Sequence, residues 1–198
     1  MPRSLTAILM FLAAALAASA GSVRAQPAAA DWNITQLMQQ LAAVKSASAH
    51  FVERKYLRLL KEPLVDSGTL VYRAPDQLRK DTLEPQIEKM AIDGDRLSIE
   101  RDGKTQTLQL EQYPEIWVII EGIRATLAGD LVTLKRYYRV GLQGAAVSWQ
   151  LSLVPSDPKI EKLIRSIRIF GDGAHVRRIV TDEAGGDHTD MTITEGQP

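Results

Sequence analysis

The chain has 198 residues, with 24 lysines and arginines balanced by 24 aspartates and glutamates, and it contains no cysteine. The balanced charge argues against a nucleic-acid-binding protein, because neutralising phosphates needs a clustered excess of basic residues. Without cysteine, the chain can form neither a disulfide nor a lipid-anchored cysteine.

The first 25 residues have the composition of a secretory signal peptide. Arg3 precedes an apolar run from Ile8 to Ala18, and small residues then lead to Ala25. A basic start, a short apolar core and a small-x-small ending are typical of such signals, and the run is shorter than the ~20 residues of a membrane-spanning helix. We expect cleavage after Ala25, with Ala20 as the alternative. Residues 1–25 would then be the signal peptide, residues 26–30 a disordered leader and residues 31–198 a single domain.

A helix is predicted at the start of this domain. Asp31 can cap a helix that begins at Trp32, because an aspartate side chain accepts hydrogen bonds from the free amides of a first turn. Apolar residues then recur at helical spacing and form one stripe. They are Ile34, Leu37, Met38, Leu41 and Val44.

The hydrophobic period then changes to two, which is typical of antiparallel strands with one buried face. Asp-Gly pairs at 93–94 and 102–103 predict hairpin turns between such strands. The clearest strand is AVSWQLSLVP at 146–155, and SDPKIEKL after it predicts a one-turn helix capped by Asp157. The apolar faces contain Leu70, Tyr72, Met90, Ile92, Leu97, Ile99, Leu108, Leu110, Val147, Trp149, Leu151 and Leu153.

One helix interrupts the strands. Pro114 suits a helix start, and apolar residues keep helical spacing from Trp117 and Ile120 onward. We expect a helix from Glu115 to Ala128, a break at Gly129-Asp130 and a short turn to Leu134. The stretch IWVII is apolar on every face. It could be core, or it could lie between a sheet and a lipid.

These elements add up to a mainly β (α+β) domain of about eleven short antiparallel strands and two longer helices. With so few helices, one large sheet must curve strongly around them to bury its apolar face. The prediction is therefore an open, strongly curved β-barrel with an N-terminal helix and a second helix against its concave face.

The sequence offers little catalytic equipment. No serine lies in a Gly-x-Ser-x-Gly turn, and the three histidines fall in three separate predicted strands. One polar stretch, DEAGGDHTD, could ligate a divalent cation or could be a solvated hairpin, and its Gly-Gly turn chemistry favours the hairpin. Its polar residues are Asp182, Glu183, Asp187, His188 and Asp190. We expect no enzyme activity, no metal site and no cofactor.

In their order along the chain, these pieces resemble the periplasmic outer-membrane lipoprotein carrier family (LolA-like). After the signal and the amphipathic helix comes SAHFVER, and then Gly68-x-Leu70-x-Tyr72-x-x-Pro75-x-x-Leu78, similar to the family's strand-turn-strand. AIDGDRL, LAGD, WQLSLVP and IRSIRI follow in the family's order. The chain is identified as a divergent member, because it has Ala74 where the carriers have an arginine and Leu78 where they have an aromatic residue.

The resemblance implies a hydrophobic cavity under a helical lid, which shields acyl chains during transit between the inner and outer membranes. The expected protein is a periplasmic monomer that takes a lipoprotein, a free lipid or an acyl-linked pigment from an inner-membrane donor to an outer-membrane acceptor. Two alternatives remain open. One is a sensor or regulatory module of the same fold, and the other is an interaction protein with a filled core.

The resemblance and the alternation together predict the residues that contact cargo. The predicted cavity wall consists of Leu70, Tyr72, Leu78, Met90, Ile92, Leu97, Ile99, Leu108, Leu110, Trp149, Leu151 and Leu153, with Trp117 and Ile120 from the lid. Pro75 is expected to turn the chain at the cavity rim. Arg73, Arg79 and Lys80 are expected at the mouth, where they could meet a partner or a lipid headgroup, or could simply decorate a solvated edge.

Overall fold

A computed structural model describes residues 32–196. The predicted signal peptide, its cleavage site and the leader therefore lie outside the described residues. No helix within residues 32–196 has the length and apolar character needed to cross a lipid bilayer.

Eleven strands and four α-helices make up the described chain. The helices are α1 (Ile34–Ala43), α2 (Pro114–Ala128), α3 (Leu131–Tyr137) and α4 (Pro158–Glu161), with a 3-10 turn at Leu110–Gln112. The first six strands are β1 (Ser46–Tyr56), β2 (Leu64–Arg73), β3 (Gln77–Glu84), β4 (Glu88–Asp93), β5 (Arg96–Arg101) and β6 (Lys104–Gln109). The last five are β7 (Tyr138–Ala145), β8 (Ser148–Pro155), β9 (Ile164–Asp172), β10 (His175–Glu183) and β11 (His188–Glu195).

All eleven strands belong to one antiparallel sheet, which confirms the predicted fold class. Their order is β6-β5-β4-β3-β2-β1-β11-β10-β9-β8-β7. Each half is a meander of hairpins, and the two halves join where β1 pairs with β11. Because β6 and β7 are neighbours in sequence but lie at opposite edges, the chain between them has to cross the sheet. That crossing carries α2 and α3 over one face, which we call the inner face.

The two predicted Asp-Gly turns connect β4 to β5 and β5 to β6. Gly94 and Gly103 have φ angles of 57° and 72°, a left-handed conformation that glycine adopts without steric cost. Both hairpin predictions are confirmed, as is the helical turn α4, whose cap Asp157 accepts a hydrogen bond from the amide of Lys159.

The predicted start of α1 was wrong by two residues. The helix begins at Ile34, and its N-cap is Asn33, whose side chain accepts from the amides of Thr35 and Gln36. The Gln36 side chain accepts in return from the Asn33 amide at 3.1 Å. This reciprocal capping box satisfies more free amides than a single aspartate would, which explains why the helix starts here.

The predicted α2 is confirmed to within one residue, and Gly129 is its C-cap. Gly129 is left-handed, with φ of 68°, and a Cβ at this position would lie 2.2 Å from the Met38 carbonyl oxygen of α1. The short turn predicted next was wrong, because α3 is a seven-residue helix. Asp130 caps it, accepting from the Thr133 amide at 2.9 Å and from its hydroxyl at 2.6 Å.

Two further predictions at strand ends need correction. Leu110 was predicted on a strand with Leu108, but β6 ends at Gln109 and Leu110 begins the 3-10 turn, where it is still buried. Val147 was predicted on the face of Trp149. It lies in the β7–β8 turn instead and is 83% exposed.

Buried apolar side chains on the inner face form two clusters. The first packs α1, α2 and α3 against β7–β9, and it includes Leu37, Leu41, Val118, Leu134, Tyr138, Trp149, Leu151, Leu153, Ile167 and Ile169. The second is smaller and consists of Ile92, Leu97, Leu110 and Ile120, with partly buried neighbours around them. Helix α2 contributes to both, and Trp117 packs against both.

Helix α2 is fixed to the first cluster through Tyr138. The Tyr138 hydroxyl donates a hydrogen bond to the Val118 carbonyl, and burial raises the pKa of this hydroxyl well above its usual range. A Cβ on Gly122 would lie 2.7 Å from the hydroxyl oxygen. Gly122 weakens the helix but lets the tyrosine ring lie against its backbone.

Candidate functional site

Strands β2–β6, which we call the wing, carry two rows of mostly apolar side chains on the inner face. The first row runs across all five strands through directly paired residues: Tyr72, Leu78, Ile92, Leu97 and Leu108. The second row lies two residues further along each strand: Leu70, Lys80, Met90, Ile99 and Gln106. Because side chains two residues apart point to the same face of a strand, both rows face α2.

The two rows make a strip that is longer across the strands than along them. Four inter-strand spacings of about 4.8 Å give a length of ~19 Å, and two residues along a strand give a separation of ~7 Å. Several members remain partly accessible although they face the helix: Leu70, Leu78, Met90, Ile99 and Leu108 are half-buried. The strip is therefore an apolar surface that α2 covers only in part.

A third row ends the apolar strip with polar groups. It consists of Gly68, Thr82, Glu88, Arg101 and Lys104, and Arg101 forms an ion pair with Glu88. Gly68 is required by close packing, because a Cβ there would lie 1.9 Å from the Asp81 carbonyl oxygen and 3.0 Å from the Phe51 ring. The change from apolar to charged rows gives the strip a defined border.

The structure brings together most of the residues predicted to contact cargo. Eight form the apolar part of the two rows: Leu70, Tyr72, Leu78, Met90, Ile92, Leu97, Ile99 and Leu108. Leu110, Trp117 and Ile120 pack with the six of these that lie on β3–β6, in the second cluster. Trp149, Leu151 and Leu153 lie elsewhere, in the first cluster, where α1–α3 pack directly on them. Whether any of these residues contacts cargo stays a prediction.

Tyr72 brings a polar atom into the first row. The side chain is 5% exposed, and its hydroxyl is buried without a hydrogen-bond partner among the described residues. Burial, together with the charge of Asp76, raises the pKa of this hydroxyl, so it is a protonated donor at neutral pH. An unpaired buried hydroxyl is unfavourable for folding, and it marks a place where a ligand could accept a hydrogen bond.

A charged network lies at the edge of the strip. Glu53 of β1 is 7% exposed, and its carboxylate contacts Lys80 at 2.6 Å and Lys55 at 3.5 Å. The Lys80 ammonium also lies 4.9 Å from the centroid of the Phe51 ring, and Lys55 contacts Asp66 at 2.6 Å. Burial alone would lower the pKa of Lys55, but the hydrogen bond to Asp66 and the two neighbouring charges raise it.

The three cations predicted at the mouth do not lie together. Lys80 faces inward, to Glu53, whereas its neighbour Arg79 points to the opposite face and pairs with Asp81 at 2.8 Å. Arg73 is exposed at the end of β2. Because Arg79 and Lys80 are neighbours on β3, their side chains face opposite sides of the sheet, which the prediction of a shared position at the mouth left out.

Helix α2 is tied to the wing by its own arginine. The Arg124 guanidinium donates to the Gly94 carbonyl in the β4–β5 turn at 2.8 Å, and it pairs with Glu121 one turn earlier in α2. Both side chains are largely buried. This contact was not predicted, because the resemblance to the carriers directs attention to the position before Pro75, where this chain has Ala74.

The polar stretch near the C-terminus is a hairpin, and Asp182, Asp187 and Asp190 accept hydrogen bonds through their carboxylates. Asp182 accepts from Ser166 and Arg168, and Asp190 forms a bidentate pair with Arg178. The ring of His188 stacks on Tyr56. Among residues 32–196, no group of three or more potential ligands is placed to hold a metal ion.

Comparison with known proteins identifies related sequences and folds. A family model described as "Outer membrane lipoprotein carrier protein LolA-like" matches residues 24–197. No curated protein sequence matches the chain.

Three solved structures are similar in fold. A LolA superfamily protein from Nitrosomonas europaea has 9% identity and a TM-score of 0.45, with 84% of this chain and 96% of that chain covered. The lipoprotein LppX from Mycobacterium tuberculosis has 13% identity and a TM-score of 0.43, with 83% and 96% covered. A putative outer membrane lipoprotein-sorting protein domain from Vibrio parahaemolyticus has 9% identity and a TM-score of 0.42, with 82% and 89% covered.

Proposed function

Since this chain belongs to the LolA-like family of outer membrane lipoprotein carrier proteins, we propose that it carries cargo with acyl chains, a lipoprotein or a lipid-like molecule, through the periplasm. The cargo would come from an inner-membrane donor and pass to an outer-membrane acceptor. The protein would act as a monomer, by binding and release without a chemical step.

One observation carries this proposal: the half-buried apolar strip of the wing under α2. An acyl chain in water costs about 0.8 kcal/mol for each CH₂ group that could be buried. A carrier therefore needs an apolar surface that folding leaves available. The wing has such a surface in Leu70, Leu78, Met90, Ile99 and Leu108, whereas Trp149, Leu151 and Leu153 are already buried by the protein's own helices.

The shape of the strip favours one orientation of the cargo. It is ~19 Å long across the strands but only two rows wide, and charged residues of the third row border it. An extended acyl chain would therefore lie along the rows, perpendicular to the strands and beneath α2. Ile116, Trp117 and Ile120, which pack on this cluster, would then cover it.

The Tyr72 hydroxyl would orient the cargo along the strip. It is buried and lacks a hydrogen-bond partner in residues 32–196. A cargo with an ester or amide carbonyl at the head of its acyl chain could accept this hydrogen bond. The pairing would satisfy a buried donor whose desolvation is otherwise uncompensated, so it favours acylated molecules over plain hydrocarbons.

Binding of a fluorescent acyl probe tests the proposal. A dansyl-labelled fatty acid should bind the purified protein saturably at micromolar concentration, and it should quench tryptophan emission because Trp117 packs on the strip. Leu78→Asp should abolish binding, since it places a charge in the first row. Far-UV circular dichroism should verify that this variant folds.

Val147→Asp is the matched control, because it adds the same charge at a site that is 83% exposed and outside the wing. It should bind the probe like the parent. If the parent shows no saturable binding, or if both variants bind equally well, the wing is not a cargo surface. A filled interaction module of the same fold would then be the better description.

A further inference from the structure

Exposed large apolar side chains are concentrated at one end of the sheet. This end contains the β1–β2 loop and the β3–β4 turn. The two are adjacent because β2 pairs with β3. Seven of the eleven exposed large hydrophobic residues in the described chain lie here: Tyr56, Leu59, Leu60, Leu64, Val65, Leu83 and Ile87. Single exposed apolar residues are ordinary, but a concentration of seven at one end of a sheet indicates an interaction surface. We call this group the apolar tip.

Hydrogen bonds fix the backbone of the β1–β2 loop, which carries Leu59 and Leu60. The Arg58 amide donates to the Asp187 carboxylate in the β10–β11 turn at 2.8 Å, and the Leu60 amide donates to the Leu57 carbonyl at 2.8 Å. Leu59 projects from this turn and is 95% exposed. Its exposure is therefore a feature of the folded loop.

Two cations flank the exposed leucines. Arg58 and Lys61 are both exposed. Neither of them forms an ion pair with another residue of 32–196. A protruding pair of leucines between two cations has the chemistry of a segment that enters the bilayer interface, where apolar groups reach the acyl boundary and basic groups meet anionic headgroups.

We propose that the apolar tip docks this protein on a bilayer that contains anionic phospholipid, with Leu59 and Leu60 in the interface and Arg58 and Lys61 against lipid phosphates. This surface is separate from the proposed cargo strip, so the inference goes beyond the proposed function. The tip lies at the opposite end of the strands from the β4–β5 turn, where Arg124 holds α2. Docking would therefore leave the contact between α2 and that turn free to open.

The absence of cysteine from the sequence makes a site-specific probe straightforward. Leu59→Cys, labelled with an environment-sensitive dye such as NBD, should brighten and shift to the blue with vesicles of equimolar phosphatidylethanolamine and phosphatidylglycerol. Val147→Cys, labelled in the same way, is the control, because Val147 is similarly exposed in the turn at the other end of the sheet. Its emission should not change.

Flotation of the unlabelled protein with the same vesicles separates the contribution of the leucine from that of the two cations. Leu59→Asp should weaken binding at least about 10-fold, the effect of keeping one leucine side chain out of an apolar environment. Arg58→Gln with Lys61→Gln should weaken it about 25-fold, since each surface cation contributes about fivefold to binding an anionic membrane. The effect of the double variant should shrink as salt is added and disappear with phosphatidylcholine vesicles.

Three results would overturn the proposal: no association of the parent with anionic vesicles, equal dye responses at positions 59 and 147, or flotation unchanged in Leu59→Asp. In the first case the tip would be a protein-docking surface instead. Because acyl-probe binding is measured without vesicles, failure of the docking proposal is distinguishable from failure of the carrier proposal.

Discussion

The two halves of the sheet begin from the same sequence pattern and end in different states. Strand β8 alternates apolar and polar residues, and Trp149, Leu151 and Leu153 are at most 2% exposed. Strands β3–β5 alternate in the same way, yet Leu78, Met90 and Ile99 are only half-buried. Alternation shows which face of a strand is apolar. It does not show how much of the rest of the chain covers that face.

The difference comes from where the helices lie. Among the α-helices of residues 32–196, α1, α2 and α3 pack on β7–β9, whereas only α2 contributes to the cluster on the wing. The half at β7–β9 therefore serves as the stabilising core. The wing keeps apolar surface that is still partly exposed to water. Burying this surface would give further favourable free energy only when a bound molecule covers it.

The first prediction compares one substitution in the two halves. Leu151→Ala should reduce the free energy of unfolding by about 3 kcal/mol, because it opens a cavity in a filled core. Leu78→Ala should cost about 1 kcal/mol, since part of that side chain is already exposed. Urea denaturation measures both. In acyl-probe binding the order should reverse, with Leu78→Ala the more damaging variant.

Equal losses of stability in these two variants would contradict the comparison. The wing would then be packed as tightly as β7–β9, and no surface would be left for cargo. Val140→Ala is a useful reference, because Val140 lies on the inner face of β7, next to the first cluster, and is only partly buried. It should cost less than Leu151→Ala.

The second prediction concerns the adjacent cations Arg79 and Lys80. Lys80→Met should destabilise the protein by about 2 kcal/mol, because it removes a partner of the buried Glu53 carboxylate. Arg79→Met should leave the stability nearly unchanged, since the Arg79–Asp81 pair is exposed to solvent. Thermal unfolding of both variants measures the difference.

Glu53→Gln in the Lys80→Met background provides the control. It removes the unpaired negative charge and should recover part of the lost stability. If Lys80→Met is as harmless as Arg79→Met, the pair at 2.6 Å contributes nothing, and the inner face of the wing is more hydrated than its burial indicates.

The sequence predicted the sheet well because its signals are local. Period-two alternation and Asp-Gly turns depend on neighbouring residues, so the hairpins around Gly94 and Gly103 could be placed. Seven of the eight apolar residues of the two rows followed from the same alternation, and Leu78 followed from the family resemblance. They come together because hairpins pair neighbouring strands in register.

The contacts that the sequence did not predict join distant parts of the chain. The Arg124–Gly94 contact joins residues 30 apart, and the Glu53–Lys80 pair joins residues 27 apart. No local pattern contains either contact. Leu59 was missed for a different reason: the faces of residues 51–60 are poorly distinguished in the sequence, so nothing indicated that a loop would present it.

The third prediction sharpens the proposed role of the wing through Tyr72. Tyr72→Phe should raise the free energy of unfolding of the empty protein by about 1 kcal/mol, because it removes a buried hydroxyl that has no partner in the described chain. It should weaken binding of an acyl ester while leaving binding of a plain hydrocarbon unchanged. Urea denaturation and competition with the dansyl probe measure the two effects.

A loss of stability in Tyr72→Phe would show that the hydroxyl already has a partner in solution, such as a bound water. Tyr138→Phe is the matched control, because that hydroxyl does donate, to the Val118 carbonyl. Removing it should destabilise the protein and should not affect the choice between ester and hydrocarbon.

The last prediction tests whether the helices over β7–β9 depend on their own local contacts. Asp130 caps α3, and its hydrogen bonds to the Thr133 side chain and amide lower the pKa of its carboxyl group. Asp130→Ala should cost about 1 kcal/mol at neutral pH, the usual loss for an N-cap. Asp130→Asn should cost less, since asparagine also caps.

The pH dependence follows from the direction of the shift in the pKa of Asp130. A lowered pKa means that the charged carboxylate stabilises the fold above its unfolded pKa of about 3.9 and that this contribution is lost as the pH falls through the folded value. The stability difference between the parent and Asp130→Asn should therefore be constant near neutral pH and shrink below about pH 4. Thermal melts across this range measure it. A difference that grows on acidification would mean that the carboxylate is not what holds the cap, and that α3 is stabilised by its packing on β7–β9 alone.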